Sequence, residues 1–237
     1  MQYLGGKSRI AKPIAQHLIE HRGARRTYIE PFLGAGSVAL VAAPAFDRVV
    51  AADVVPDLVL LWQAAVAGWI PPSDLSEAEY QALRHAEPSA LRAFAGFPCS
   101  FGGKWFGGYA RDPKGGRNFA ASASRSVVKR GRALAGADIR LADYRSLRDV
   151  IAPDAVVYCD PPYAGTTGYG AVGAFDSAAF WDEMREWSAT GAQVYVSEYA
   201  APDDWTLVWE GNPRTSIAGK GASERVTERL FVHSSAR

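Results

Sequence analysis

The tetrapeptide Asp-Pro-Pro-Tyr at positions 160–163 has the clearest chemical potential in this sequence. It directly follows the run Val-Val-Tyr-Cys at 156–159, which is typical of a buried strand. Pro161 and Pro162 cannot continue a central strand, because they have no N–H for the ladder. The strand must therefore end at Asp160. Its end presents a carboxylate, a rigid backbone whose acceptors point in fixed directions, and the aromatic ring of Tyr163.

A second motif is the stretch Glu-Pro-Phe-Leu-Gly-Ala-Gly-Ser at 30–37, between a predicted strand and a predicted helix. Gly34 and Gly36 let the backbone approach a ligand closely, and a helix N-terminus attracts an electronegative group. Asp53 follows Gly34 by 19 positions, at the end of the next predicted strand, where an acid can bind ribose hydroxyls. The pattern alone fits a nicotinamide, a flavin or S-adenosylmethionine, and it also fits a tight turn without a ligand.

A third feature is an uneven distribution of charge. The chain carries a net charge of only +1, but residues 97–135 carry +7 and the remainder −6. This segment interleaves basic residues with glycine and aromatics. A local contact with a polyanion explains such a segment, and a solvated basic face is the alternative.

The elements that must position these motifs alternate between strand and helix. Strands are predicted around 26–32, 48–53, 139–143, 155–160 and 192–199. Helical patterns are predicted at 8–21, with Ser8 as a possible cap, and at 56–68, 76–86 and 177–189; Ser76 and Glu79 form a capping-box pattern at the start of the third. Alternation of this kind favours a parallel sheet. Two further strands at 205–210 and 228–233 have no helix between them, which predicts an antiparallel hairpin at one edge. The basic segment interrupts the frame and includes a helix near 120–135.

Composition restricts the class of protein. The 237 residues, 48% of them hydrophobic, are enough for one α/β domain with an insertion. Cys99 and Cys159 do not indicate a disulfide framework, and the N-terminus has no secretory signal, so we expect a cytoplasmic protein. No window reads as a membrane span, and the four histidines have no metal-site spacing, so we expect neither a membrane nor a metal partner.

Taken together, these motifs resemble the DNA adenine-N6 methyltransferases of the Dam type, the D12 class, including phage-encoded members. The resemblance is carried by Tyr-Leu-Gly-Gly-Lys at 3–7, the glycine motif at 30–37, Asp53, Asp-Tyr at 143–144 and Asp-Pro-Pro-Tyr at 160–163. Ser-Glu-Tyr at 197–199 is also similar to a strand of the family. The insertion contains no clear match to the segment that reads GATC in the cellular enzymes, so no target sequence is assigned.

The resemblance implies a Rossmann-like, S-adenosylmethionine-dependent methyltransferase sheet. It predicts a catalytic domain at 1–68 and 136–237, with a target-recognition region inserted at 69–135. The predicted catalytic residues are Asp160, Pro161, Pro162 and Tyr163. The predicted cofactor-binding residues are Tyr3, Lys7, Glu30, Phe32, Gly34, Gly36, Asp53, Asp143, Tyr144 and Asp160. The predicted DNA-binding residues are Lys104, Trp105, Tyr109, Arg111, Arg117, Asn118, Arg125, Lys129, Arg130 and Arg132, of which Trp105 or Tyr109 would act as a wedge.

The implied reaction moves a methyl group from S-adenosylmethionine to N6 of an adenine flipped out of double-stranded DNA. Asp160 and the carbonyl of Pro161 would accept hydrogen bonds from N6, and Tyr163 would stack on the base. The alternatives are cytosine N4 or RNA adenosine as the acceptor, and a catalytically silent nucleic-acid-binding homologue. A monomer is the favoured oligomeric state, and the resemblance leaves open whether a restriction enzyme accompanies the protein.

Overall fold

The computed structural model describes residues 6–112, 115–162, 175–211 and 227–236. Its described strands are β1 (Thr27–Glu30), β2 (Arg48–Asp53), β3 (Asp138–Leu141), β4 (Ala155–Cys159), β5 (Gln193–Glu198), β6 (Trp205–Gly211) and β7 (Glu228–His233). They form one sheet in the order β3-β2-β1-β4-β5-β7-β6. Strands β1 to β5 are parallel, and β7 runs antiparallel to both β5 and β6. The predicted α/β sheet, mostly parallel with an antiparallel C-terminal hairpin, is confirmed.

Both faces of the sheet are covered, so its central strands are buried throughout. All residues of β1, β4 and β5 are buried. Along β4, Val156 and Tyr158 join the hydrophobic cluster on one face, and Val157 and Cys159 join the cluster on the other. Parallel strands between two helical layers are expected to be continuous apolar runs of this kind.

The helices divide between the two faces. The larger cluster packs under α1 (Ala11–His21), α2 (Ala39–Ala42), α3 (Pro56–Val66), α4 (Glu77–Arg84), α5 (Ala90–Gly96) and α6 (Phe119–Ala133). The other cluster packs under a 3₁₀ segment (Tyr144–Val150) and α7 (Ser177–Ala189). Shorter 3₁₀ turns lie at Ala43–Ala45, Phe101–Gly103 and Ser234–Ala236.

The helices of the insertion share their core with the frame. Both α5 and α6 pack against α3, and a Cβ built on Gly131 of α6 would lie 2.2 Å from the carbonyl oxygen of Ala65 in α3. Only glycine allows the two backbones to approach so closely. The helices within residues 69–135 therefore pack onto the α/β frame and extend its hydrophobic core.

Helix boundaries follow local signals except in two places. Ser76 and Glu79 form the predicted capping box at the start of α4. Helix α1 begins at Ala11, capped by Ile10 without a side-chain bond, and not at the predicted Ser8 cap. Helix α5 was not predicted, and its N-cap, Ser89, is held by the carboxylate of Asp57 in α3.

Two sequence predictions concern the cysteines and the possibility of a membrane span. Cys99 and Cys159 are buried free thiols, as expected. Among the described helices, none combines the length and the hydropathy needed to cross a bilayer.

Candidate active site

The carboxyl ends of the parallel strands bring five acidic residues to one edge of the sheet. In an open α/β sheet, ligands bind in the crevice at this edge. Strands β1, β2 and β5 each end in an acid, Asp160 directly follows β4, and β7 begins with an acid. Because β7 is antiparallel to β5, its first residue lies at the same edge as the last residue of β5. The residues of this acidic edge are Glu30, Asp53, Asp160, Glu198 and Glu228.

The predicted glycine turn lies at the same edge and has the backbone that only glycine adopts easily. Gly34 has a φ of 47° and Gly36 a φ of 61°, both in the left-handed region. A Cβ on Gly36 would also lie 3.3 Å from the ring of Trp62. The two glycines are therefore required by conformation, and at Gly36 also by space.

Side chains from three elements hold this turn. The Asp53 carboxylate accepts hydrogen bonds from the amides of Gly34 at 2.9 Å and Val55 at 3.0 Å. Nε1 of Trp62 donates to the Gly34 carbonyl at 2.9 Å, and Nη1 of Arg130 donates to the Ala35 carbonyl at 2.8 Å. The turn is thus fixed from β2, α3 and α6.

Asp53 was predicted to bind the ribose of a ligand, and in this structure its carboxylate already accepts hydrogen bonds from backbone amides. Each of its oxygens accepts one amide bond, and a carboxylate has about four lone-pair sites. Burial raises the pKa of the Asp53 carboxyl above its ordinary value, against the amide bonds, which lower it. Asp53 can therefore hold the turn and still accept a ligand hydroxyl.

Ser37, the residue after the turn, gives a direct indication that this turn holds a ligand. Its hydroxyl oxygen is buried and has no hydrogen-bond partner among the described residues. An unpaired buried hydroxyl is costly unless a ligand or water completes it. Together with the left-handed glycines and the remaining lone pairs of Asp53, this hydroxyl fits a turn built around a polar ligand.

Glu30 was predicted to bind cofactor, but the structure places its carboxyl inside the protein. It is 2% exposed and accepts a hydrogen bond from the hydroxyl of Tyr28 at 2.5 Å. Burial raises the pKa of Glu30 to about 8, and the charges of Asp160 and Asp53 contribute to this increase. Glu30 therefore interacts electrostatically with both acids, and its buried carboxyl lies inside the protein behind the acidic edge.

An aromatic cluster flanks the glycine turn on the other face of the sheet. The ring of Phe32 lies 5.4 Å from that of Tyr144, 6.2 Å from Phe175 and 5.9 Å from Phe180. Phe32 and Phe175 are half-buried, whereas Tyr144 is buried. These two half-exposed rings supply a surface on which a planar ligand can pack.

Asp143 has a local role in the described structure. Its carboxylate accepts hydrogen bonds from the amide of Arg145 at 3.0 Å and from the guanidinium of the same residue at 2.8 Å. These bonds lower the pKa of the Asp143 carboxyl. Asp143 thus caps the 3₁₀ segment whose first residue, Tyr144, belongs to the aromatic cluster.

Asp160 lies in an ion-pair cluster at the centre of the acidic edge. The ammonium of Lys7 is 3.1 Å from Oδ1 of Asp160 and 3.3 Å from Oε2 of Glu228. Pro161 is buried and Pro162 is exposed, and β4 ends at Cys159, one residue before the predicted end at Asp160. Lys7 was predicted to contact the cofactor, and the structure pairs it with Asp160, the predicted catalytic acid. Tyr3 and Tyr163 lie outside the described residues.

The order of these motifs along the chain agrees with known proteins. Residues 3–91 match the family model of the D12 class N6 adenine-specific DNA methyltransferases. The chain is 28% identical over 230 residues to a DNA adenine methylase of Vibrio cholerae serotype O1, with 84% of this chain and 80% of the relative covered. The same protein in a second V. cholerae strain matches equally.

The chain is thus similar to the D12 class of N6 adenine-specific DNA methyltransferases, with residues 3–91 matching the family model.

Solved structures also align with this chain. A methyltransferase, yhhF, from Escherichia coli aligns with a TM-score of 0.43 and 14% identity over 97% of this chain and 88% of that one. An RNA methyltransferase, PH1948, from Pyrococcus horikoshii aligns with a TM-score of 0.44 and 9% identity over 95% and 84%.

The basic segment presents most of its predicted DNA-binding side chains to solvent. Those that are exposed are Lys104, Arg111, Arg117, Asn118, Arg125, Lys129 and Arg132. One surface pocket of about 290 Å³ is lined by Tyr109, Arg111, Arg117 and Asn118, among others. A second groove, of about 630 Å³, is lined by Arg125, Lys129 and Arg132, with Ile70 beside them. This groove places three cationic side chains on the exposed face of α6.

Arg130 does not belong to that face, which corrects its prediction as a DNA contact. Its side chain is 9% exposed, and it donates to the glycine turn. Burial lowers the pKa of its guanidinium. The spacing of residues in the sequence already indicates that Arg130 is buried. Ala123, Val127 and Arg130 recur at helical spacing on the buried face of α6. Arg125, Lys129 and Arg132 recur at the same spacing on its exposed face.

The two aromatic residues predicted as wedges face inward. The ring of Trp105 lies 4.5 Å from that of Phe97 and 4.7 Å from that of Phe106. The hydroxyl of Tyr109 donates to the carbonyl of Leu75 at 2.6 Å. Both side chains are half-buried and support the loop.

Phe101, which the sequence reasoning did not select, is the exposed aromatic of this loop. It is 75% exposed. It begins a 3₁₀ turn whose other residues, Gly102 and Gly103, have left-handed φ values of 65° and 69°. The bridge between Ser100 and Tyr109 closes the loop behind it. The structure therefore presents a single apolar ring at the tip of a braced loop.

Proposed function

We propose that this protein transfers a methyl group from S-adenosylmethionine to N6 of an adenine flipped out of double-stranded DNA. The observation that carries the proposal is the position of Asp160, at the end of β4, on the same sheet edge as the clamped glycine turn. The two free thiols and the DNA substrate support a cytoplasmic location.

The cofactor side of the proposed site is built from the turn and the aromatic cluster. S-adenosylmethionine, when bound, supplies a methyl group activated by its sulfonium charge. Gly34, Gly36 and the Ser37 hydroxyl would face its polar part, and Asp53 would accept a ribose hydroxyl. Phe32 and Phe175 would pack on the adenine ring. These residues orient the donor and exclude water from the transfer path.

The base side of the proposed site is built from the Asp-Pro-Pro-Tyr edge. Adenine N6 is a weak nucleophile, because its lone pair is delocalised into the ring. The carboxylate of Asp160 would accept one N6 hydrogen bond and the carbonyl of Pro161 the other. These fixed acceptors direct the N6 lone pair toward the methyl group, and we assign Tyr163 to stacking on the flipped base.

The negative charge of Asp160 at the acidic edge also favours methyl transfer to N6. N6 would gain positive charge as it bonds to the methyl group and the methyl–sulfonium bond breaks, and the N6 proton would then leave to water. The carboxylate of Asp160 stabilises this developing charge more strongly than it stabilises the neutral base. A preorganised acceptor of this kind does not need to remove a proton before the transfer.

We propose that residues 69–135 are the target-recognition region and that DNA lies along the exposed face of α6. The cationic side chains Arg125, Lys129 and Arg132 would meet phosphates, which makes affinity depend on salt. Phe101 would enter the space that a flipped base leaves, as apolar wedges do in bent or opened duplexes. Its exposure supports this role better than the packing of Trp105 or Tyr109 does.

The test is methyl transfer with identification of the product. The protein is incubated with tritiated S-adenosylmethionine and adenine-containing duplex DNA of mixed sequence, and the digested nucleosides are separated by mass. The proposal requires N6-methyldeoxyadenosine. N4-methyldeoxycytidine, label only in an RNA control, or binding of DNA without transfer would each reject it in favour of a different acceptor or a silent homologue.

A further inference from the structure

Lys7 bridges two carboxylates, and Glu228 is the one whose role is not accounted for by the proposed mechanism. The ammonium lies 3.1 Å from Asp160 and 3.3 Å from Glu228. The side chains are 9%, 21% and 14% exposed for Lys7, Asp160 and Glu228. Ion pairs so far from solvent are screened little, so each partner affects the others strongly.

The sheet order explains how a residue near the C-terminus reaches the catalytic acid. Strand β5 lies between β4 and β7, so Asp160 and Glu228 are separated by two strand spacings, about 9.6 Å. Lys7 precedes α1, and its carbonyl accepts the amides of Ile10 at 2.9 Å and Ala11 at 2.7 Å. Its side chain therefore extends from a fixed helix start across the end of β5.

The position of Glu228 is fixed by its place in the sheet. It pairs with Gly211 in the β6–β7 ladder. The next residue, Arg229, donates to the carbonyl of Tyr199 at 2.8 Å. Glu228 is thus a rigid anchor for the ammonium on the side away from Asp160.

Charge gives this anchor a chemical consequence. The two carboxylates raise the pKa of Lys7 although burial alone would lower it, so the amine is protonated. Together the ammonium and these two carboxylates carry a net charge of −1. Without Glu228, one of the carboxylates that hold the ammonium is lost, so Lys7 would neutralise Asp160 more completely and would hold it less firmly.

We propose that Glu228 is a positioning residue for methyl transfer: through Lys7 it fixes the Asp160 carboxylate and preserves its negative charge. This inference rests on the proposed function. It concerns the rate of the transfer step, and it assigns to Glu228 no contact with the base or with the cofactor.

The test compares Glu228→Gln and Glu228→Ala with wild type in single-turnover methyl transfer to duplex DNA. Glu210→Gln is the matched control, since Glu210 is an exposed glutamate in the same hairpin, paired with Arg229. Glu228→Gln keeps the shape of the side chain and removes its charge, so it is the deciding variant if Glu228→Ala is unstable. We expect its transfer rate to fall by about tenfold or more, as for the loss of a charged hydrogen-bond partner.

The rate must fall while the Kd for S-adenosylmethionine and the KM for DNA stay within about twofold of wild type, and Glu210→Gln must retain the wild-type rate. In a Lys7→Met background, Glu228→Gln should have little further effect, because the route through the lysine is gone. A wild-type rate in Glu228→Gln, a change in KM alone, or an equal loss in Glu210→Gln would overturn the inference. A wild-type protein that transfers no methyl group would instead reject the proposed function.

Discussion

Replacing Arg130 with methionine would separate two roles that lie side by side in one basic run of sequence. Lys129, Arg130 and Arg132 lie within four consecutive positions. Arg130 is buried against the glycine turn, whereas Lys129 and Arg132 are exposed. Methionine keeps the apolar stem and removes the guanidinium. Arg132→Met makes the same chemical change on the exposed face of the same helix and is the matched control.

The magnitude follows from the single bond that is lost. The Ala35 carbonyl loses a donor at 2.8 Å, while Asp53 and Trp62 continue to hold the neighbouring peptide groups. The net worth of one such bond is about 1–1.5 kcal/mol, or roughly a tenfold increase in the Kd for S-adenosylmethionine. The free energy of unfolding should change by less, because removing the guanidinium also removes its desolvation cost.

Two assays distinguish the variants. Calorimetry measures the Kd for S-adenosylmethionine, and fluorescence anisotropy over a salt series measures the slope of log K for DNA. Arg130→Met should weaken cofactor binding and leave the slope unchanged. Arg132→Met should leave cofactor binding unchanged and reduce the slope by about 0.9, the value for one phosphate contact. An unchanged cofactor Kd in Arg130→Met, or a reduced salt slope in that variant, would refute this assignment.

Three further predictions concern the core, the wedge and the helix contact. Because Glu30 keeps its proton in the native state up to a pKa of about 8, while the unfolded chain loses it near 4.5, stability should fall as pH rises through this interval. Urea unfolding at pH 5 and pH 8 should show this fall, at most about 1.4 kcal/mol per pH unit, and Glu30→Gln should lack this component; an identical pH slope in the variant would contradict it. Phe101→Ala should weaken DNA binding by about 1–3 kcal/mol, as for a lost stacking contact, without a change in salt slope, and anisotropy with unchanged affinity would reject the wedge. Gly131→Ala should lower the free energy of unfolding by about 1–3 kcal/mol, since its Cβ would lie 2.2 Å from the Ala65 carbonyl; a wild-type denaturation midpoint would show that α6 can shift freely.

Local signals were sufficient to predict the frame. Apolar runs bounded by glycine, proline or acids gave the strands, and the prolines after Asp160 gave the end of β4, because these features depend on neighbouring residues. The capping box of α4 was predicted for the same reason. The position of Asp160 on the sheet edge then followed from parallel pairing.

Features that depend on distant contacts were not predicted. Helix α5 is stabilised through Asp57, a residue of another helix. Glu228 reaches Lys7 only because β7 inserts beside β5, an arrangement that a hairpin pattern does not specify. The basic neighbours of Trp105 favour contact with DNA, but its packing against Phe97 is a tertiary interaction. Charge in the sequence marks the segment as a candidate, whereas only burial in the structure shows which of its residues are accessible to a ligand.

The most direct test of the account is single-turnover methyl transfer by Asp160→Asn, which keeps the shape of the side chain and removes its charge. The assay follows formation of N6-methyldeoxyadenosine in duplex DNA, with calorimetry of S-adenosylmethionine as the folding and binding control. Asp182→Asn, an exposed acid of α7, serves as the matched variant. We predict a rate at least about 100-fold below wild type, comparable to the loss of one preorganised transition-state contact, with cofactor affinity within about twofold. Asp160→Asn that forms N6-methyldeoxyadenosine at the wild-type rate would contradict the account.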